Sequence, residues 1–421
     1  MFSRQIFSRA LGFAGAAGVF GFSAYAHANG AAEASKTNGR GGLSASLIAK
    51  LGAKVSNIQS ALDARPPKRP GVLAAVGNTP LIELRSLSAA TGCRILAKCE
   101  HLNPGGSVKD RAALWMIEDA ERKGALRPGG TVCEGTGGNT GVGLALVAAA
   151  KGYAAVMAMP ATIAQEKINA MRVLGARVVL CPGVPFTDAR HYFHRAAAIA
   201  AETDNAIFTN QFDNLANMRC HLEGTAPEIW RQSGGKVDGF VCAAGTGGTI
   251  AGCSAFLKSA NPACACYVID PPGSALFDFV TRRLKGEDTR AKEATPVGVP
   301  TTFIPRSEGN SVTEGIGIGR VTANFSNARL DGALSGTDRE AIEMAYHLIE
   351  HDGVFVGPSA ALNAVGAVKL ARKLGPGHTV VTVLCDGGAR YRSKMYTASW
   401  LAERGLTPRA SGGFGNVDFV K

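Results

Sequence analysis

The sequence predicts an α/β fold in which mostly parallel sheets are flanked by helices, and three observations carry that prediction. Apolar runs of strand length alternate with helical patterns from Leu81 to Cys385, and alternation at this spacing calls for crossover helices between parallel strands. Three glycine-bearing loops, Glu134 to Gly141, Gly245 to Thr249 and Gly357 to Ser359, each join such a strand to such a helix. A length of 421 residues with 46% apolar content is enough for two packed lobes with a sizeable core.

Residues 1–42 read as a targeting segment. Arg4 and Arg9 stand among Ser and Phe residues, and no acid precedes Glu33. The apolar run Leu11 to Ala28 is rich in Gly and Ala and, at about 18 residues, barely reaches spanning length. A mitochondrial presequence, a secretory signal and a weak membrane anchor are the three readings. Free thiols weigh against secretion, and the mitochondrial one is preferred. Residues 43–70 form a mixed leader, with one helix expected from Leu47 to Leu62 before Pro66-Pro67.

From Leu81 the expected order is strand Ile95 to Cys99, a helix begun at Lys109 and stopped near Gly124, strand Thr131 to Glu134, and helix Gly141 to Lys151. Then come strand Ala154 to Met159, helix Glu166 to Leu174, strand Arg177 to Cys181, helix Asp188 to Ala201 and strand Ala206 to Asn210. After Trp230 the rhythm resumes with strand Phe240 to Ala244, a helix from Thr249, a strand at Tyr267 and helix Asp338 to Glu350. Strand Val354 to Val356, helix Ala360 to Leu374 and strand Thr379 to Cys385 close the pattern. The 16 residues after Gly405, rich in glycine, are expected to be disordered.

The stretch Asn103-Pro104-Gly105-Gly106-Ser107-Val108-Lys109-Asp110-Arg111 puts one lysine where a glycine-rich turn becomes a helix. A helix N-terminus disfavours an ammonium and so favours a free amine that can attack a carbonyl, as a Schiff-base lysine must. The Thr136 to Thr140 loop offers backbone N–H groups and hydroxyls that suit a carboxylate. Gly245-Thr246-Gly247-Gly248-Thr249 can form a nest for a phosphate. Neither loop has dinucleotide spacing, since Thr140 and Ile250 stand at the third glycine positions. Taken together they make a site for an amino acid held on a phosphorylated aldehyde. Ligands in such sheets bind beyond the carboxyl ends of the strands, where these loops emerge.

These motifs, with Gly77-Asn78-Thr79-Pro80-Leu81, Glu314 to Gly319 and Asp386 to Tyr391, resemble those of the fold-type II pyridoxal-phosphate enzymes, the tryptophan-synthase-β-like fold. Within that group the likeness is to the cysteine synthase (O-acetylserine sulfhydrylase) and cystathionine β-synthase branch. It covers residues 71–405, taken as the catalytic domain, with a smaller lobe near 103–213. Glu314 to Gly319 with Cys385 to Gly388 is similar to the cysteine-synthase-like proteins of fungal mitochondria and some bacteria. The resemblance implies pyridoxal 5'-phosphate as cofactor and a homodimer. It implies that Lys109 is the Schiff-base lysine, that Asn139 bonds the cofactor's phenolic oxygen, and that Gly245, Thr246, Gly247, Gly248 and Thr249 hold its phosphate. Ser359 would pair with the pyridine nitrogen, and Thr136, Gly138, Thr140 and Gln211 would hold the substrate carboxylate. The chain departs from the family at Gly137, where serine is usual. It also departs in the basic stretch from Ala275 to Thr313, which is longer than usual and is expected to cover the site entrance.

A neutral serine at the pyridine nitrogen makes the ring a modest electron sink, which favours loss of a β-leaving group over transamination. The implied reaction is β-replacement on an activated serine, giving cysteine with sulfide or cystathionine with homocysteine. Serine or threonine deamination, and a catalytically lapsed partner-binding subunit, are the alternatives. Net charge is +12, but nine basic residues against Glu33 and Asp63 put +7 before residue 71 and leave +5 for the body. No basic run interleaved with aromatics points to nucleic acid. The ten cysteines contain no C-x-x-C pair and read as thiols in a reducing compartment. His191 and His194 lack the acidic or cysteine neighbours of a metal site, and no metal is expected.

Overall fold

The computed structural model describes residues 69–163, 165–409 and 413–421. The targeting segment and the expected Leu47 to Leu62 helix lie outside these residues.

Two sheets with parallel pairing organise the chain. The larger has six strands in the order β1 (Leu81–Glu83), β2 (Arg94–Lys98), β13 (Thr379–Val383), β7 (Gly239–Cys242), β8 (Ala265–Asp270) and β12 (Gly332–Ser335). All its pairs are parallel except β1 with β2. The smaller runs β5 (Arg177–Cys181), β4 (Ala154–Pro160), β3 (Thr131–Gly135), β6 (Ala206–Phe208), all parallel. A third, antiparallel sheet of β9 (Lys292–Ala294), β10 (Thr301–Phe303) and β11 (Arg320–Val321) is built largely from the long basic stretch. There Phe303 meets Phe186 at a ring separation of 6.3 Å, and Arg306 donates to Gly273 O.

Central strands are buried on both faces, which is why β13 reads Thr-Val-Val-Thr-Val with no polar alternation. The Pro358–Leu374 helix packs on them with Ala360, Leu362, Ala364, Val365 and Val368 all without exposure. Helix ends follow local chemistry. Thr337 and Glu340 form a reciprocal capping box for the Asp338–Asp352 helix, and that helix and the Asn139–Lys151 helix stop at Gly353 and Gly152 in the left-handed conformation.

Four sequence expectations are corrected. Val354 to Val356 is not a strand. Only Val356 makes a bridge, to Gly387, because Pro358 starts a helix at once. The helix expected from Asp188 begins at Tyr192, where His191 Nδ1 accepts the Phe193 N–H as an N-cap. The strand expected to Asn210 stops at Phe208, since Asn210 has φ of 47°. Finally, residues 413–421 are packed rather than disordered. Val417 and Val420 are buried against the large-sheet core, and Arg372 donates to both their carbonyls. Two buried apolar side chains and two backbone carbonyls held by Arg372 outweigh the glycines that signal disorder.

Candidate functional site

The site assembles at the carboxyl ends of β2, β3, β7 and β13. Lys109 opens the Lys109–Arg122 helix, and its backbone N–H bonds Ser107 Oγ at 3.2 Å. The approach to it is pinned to the end of β13. Val108 N donates to Cys385 O at 2.8 Å, and Ser107 bridges Asp386. Just beyond, Asp110 accepts the Gly105 N–H, and burial pushes its carboxyl up to about 6. Arg111 is locked between two carboxylates, Glu100 at 2.7 Å and Glu228 at 2.7 Å, with Lys98 Nζ also 2.7 Å from Glu228. Two buried cations against the buried Glu100 and the half-buried Glu228 leave this knot neutral, so it fixes the lysine loop without adding net charge nearby.

Asn139 starts the helix after β3. Its Nδ2 donates to Asp386 Oδ2 at 2.7 Å, which joins the smaller sheet's loop to the β13 loop. Gly357 N donates to Asp386 O at 3.0 Å, so the turn carrying Ser359 meets the same residue. Ser359 is buried, and near it Cys385 Sγ accepts from Asn363 Nδ2 at 3.3 Å, its thiol pushed up to about 11 by burial. Burial raises the Asp386 carboxyl too, with Tyr391, Asn139 and the Arg390 and Lys109 charges opposing the rise. The loops that carry Lys109, Asn139 and Ser359, far apart in sequence, therefore meet around Asp386, through Ser107, Asn139 itself and Gly357.

Thr140 Oγ1 donates to Gln211 Oε1 at 2.6 Å, and Gln211 N is held by Glu134 Oε2 at 3.0 Å. Burial pushes Glu134 up to about 7. Thr136 Oγ1 accepts the Gly138 N–H at 3.2 Å and keeps its own proton to donate. Thr136, Gly138, Thr140 and Gln211 thus line one loop cluster. The missing side chain at Gly137 has a structural counterpart: a Cβ there would lie 2.6 Å from Ile163 Cδ1 and 2.7 Å from Cγ1.

The Gly245 to Thr249 turn is a cradle that only glycine permits. A Cβ on Gly245 would overlap Gly315 O, and one on Gly248 would overlap Asn217 Oδ1. Gly247 has φ of 84°, with Phe325 Cβ 2.5 Å from where its Cβ would stand. Thr246 Oγ1 accepts from Asn217 Nδ2 at 2.9 Å, and its carbonyl accepts from Thr322 at 2.7 Å. Thr249 Oγ1 lies 3.2 Å from His221 Nε2, whose ring burial holds down to about 3 and hence neutral. A glycine nest at the start of the Gly248–Ala260 helix suits a phosphate ester in shape and in dipole.

The sequence reading quoted Asp386, Arg390 and Tyr391 within a motif but gave them no role, and it missed Ile163, Asn217, His221 and Thr322. The strand-to-glycine pattern at Asp386 was the one usable signal. A surface depression of about 450 Å³ lined by Arg127, Glu202 and Asn205 lies by the opposite, amino-terminal ends of β3 and β6, away from all four loops. His191 and His194 serve locally, the first as a cap and the second at 2.7 Å from Phe186 O. All ten cysteines are free.

Residues 72–386 match the family model described as pyridoxal-phosphate dependent enzyme. A cysteine synthase of Dictyostelium discoideum is 46% identical over 351 residues, covering 83% of this chain and 89% of that protein. Cysteine synthase 1 of Emericella nidulans is 49% identical over 339 residues, covering 80% and 87%. Among solved structures, an O-acetylserine-dependent cystathionine β-synthase from Helicobacter pylori superposes with a TM-score of 0.67 at 30% identity, covering 79% of this chain and 100% of that one.

Proposed function

The chain belongs to the pyridoxal-phosphate-dependent enzymes, and from that premise we propose that it makes L-cysteine from O-acetylserine and sulfide. One observation carries the reading: the loops bearing Lys109, Asn139 and Ser359 converge on Asp386, and the Gly245 to Thr249 turn is a cradle that suits a phosphate. The similarity to cysteine synthases along most of the chain supports the choice of substrates.

Held through its aldehyde, the cofactor withdraws electrons from an amino acid's α-carbon, which acidifies the α-proton and readies the β-substituent to leave. In this reading Gly245, Thr246, Gly247, Gly248 and Thr249 anchor the phosphate by backbone N–H groups and hydroxyls. Asn139 donates to the phenolic oxygen. Ser359 would offer the pyridine nitrogen a neutral partner, which favours loss of a β-substituent over transamination. Thr136, Gly138, Thr140 and Gln211 orient the substrate carboxylate, with Gln211 steadied by Glu134. The Lys109 amine takes the α-proton as acetate leaves and returns it after sulfide has added at the β-carbon. The sum is O-acetylserine plus hydrosulfide (HS⁻) giving cysteine plus acetate, the C–O bond to acetate broken and a C–S bond formed.

The homodimer and the mitochondrial location belong to the same proposal. The latter is supported by the basic, acid-poor leader. No helix among the described residues is long and apolar enough to cross a membrane. Lys109→Ala tests the core of the reading. The variant is expected to release its cofactor on denaturation after borohydride treatment, where wild type keeps it covalently, and to form no cysteine from O-acetylserine and sulfide. Normal turnover by the variant would refute the assignment.

A further inference from the structure

A carboxamide has two chemically different ends, and the neighbours of Asn139 each read one of them. Its Nδ2 donates to Asp386 Oδ2 at 2.7 Å, while its Oδ1 accepts from Arg390 Nη1. A guanidinium can only donate, so a flipped amide would set donor against donor at Arg390 and acceptor against acceptor at Asp386.

Both neighbours are themselves held. Tyr391 donates its hydroxyl to the same Asp386 oxygen at 2.6 Å, and Arg390 Nη2 reaches Gly105 O in the loop leading to Lys109. Asp386 is 1% exposed, and its other oxygen has no hydrogen-bond partner among the described residues. That oxygen sits where a Cβ on Gly357 would collide with it. A carboxylate so enclosed cannot swing away from Asn139.

We propose that Asp386 and Arg390 are positioning residues that lock the Asn139 carboxamide in the one orientation leaving its second Nδ2 hydrogen free for the cofactor's phenolic oxygen. The inference rests on the reading above in assigning Asn139 to the cofactor.

The test uses the full-length holoenzyme as wild type, Asn139→Ala, Arg390→Met, Arg390→Lys and the Asn139→Ala/Arg390→Met double variant. Two readouts are the shape of the cofactor's visible absorption band and the fraction of cofactor retained on serial dilution. Losing one hydrogen bond to a charged oxygen should weaken retention by about tenfold in Asn139→Ala. Arg390→Met should reproduce most of the band change, Arg390→Lys should restore the wild-type band, and the double variant should be no worse than Asn139→Ala. Additive losses in the double variant, or a wild-type band in Arg390→Met, would overturn the lock while leaving Asn139 in place. A wild-type band in Asn139→Ala would instead remove Asn139 from the cofactor, and the lock with it.

Discussion

Replacing Gly137 by serine restores the residue usual in this family, and the structure changes what that should do. Taken alone, a new hydroxyl bonding a charged carboxylate is worth about 1.5–3 kcal/mol. The serine Cβ, however, would stand 2.6 Å from Ile163 Cδ1, against an ordinary carbon contact of about 3.5–4.0 Å. Ile163 would have to retreat by roughly an ångström, and overpacking of this kind costs about 1–3 kcal/mol. The loop would relieve this clash by moving away from the carboxylate-facing position, so regaining that position on binding costs about what the hydrogen bond returns. Gly137→Ser alone should therefore change O-acetylserine affinity by less than about tenfold, whereas Gly137→Ser/Ile163→Ala should bind about tenfold more tightly than Ile163→Ala. Titration of the four proteins with O-acetylserine, followed in the cofactor's visible band, decides the matter. A tenfold gain in the single variant would show that Ile163 is no obstacle. No gain in the double variant would show that a hydroxyl at 137 never meets the carboxylate.

Further outcomes follow from the same geometry. Gly245→Ala and Gly248→Ala should each lose the cofactor on dialysis, because their Cβ atoms would overlap Gly315 O and Asn217 Oδ1, while Gly138→Ala, whose nearest neighbour is Thr136 Oγ1 at 4.0 Å, should retain it. Arg111→Met would leave the fully buried Glu100 without its cation and should cost about 3–5 kcal/mol in urea unfolding; a loss below about 1 kcal/mol would contradict the buried pair. His221 is held down to about 3 by burial, below the ordinary histidine value of 6.5. The unfolded chain thus binds the extra proton first, and stability is lost as pH falls from 6.5 toward 3, at up to about 1.4 kcal/mol per pH unit. His221→Asn should flatten that part of the stability profile relative to wild type, and an unchanged slope would refute the buried neutral ring.

The α/β alternation was legible because buried parallel strands such as β13 and amphipathic helices such as Lys109–Arg122 write different periods into the sequence. The glycine loops were legible because close backbone approach at Gly245 and Gly247 excludes other residues. The meeting of Asn139 with Asp386, 247 residues apart, has no local period to announce it. Neither has the contact of Ile163 with Gly137, which depends on how the chain after β4 folds back over the β3 loop. The C-terminal tail misled for a related reason: glycine at 412, 413 and 415 reads as disorder, and Val417 and Val420 gain meaning only against a core assembled elsewhere.

The central claim is that this site replaces the β-substituent of O-acetylserine with sulfide. Mass-spectrometric identification of products from the purified protein, supplied with O-acetylserine plus sulfide and separately with serine plus homocysteine, tests it most directly. The account predicts cysteine and acetate from the first pair at a rate well above any cystathionine from the second. Cystathionine as the faster product, or pyruvate and ammonia in place of cysteine, would contradict it.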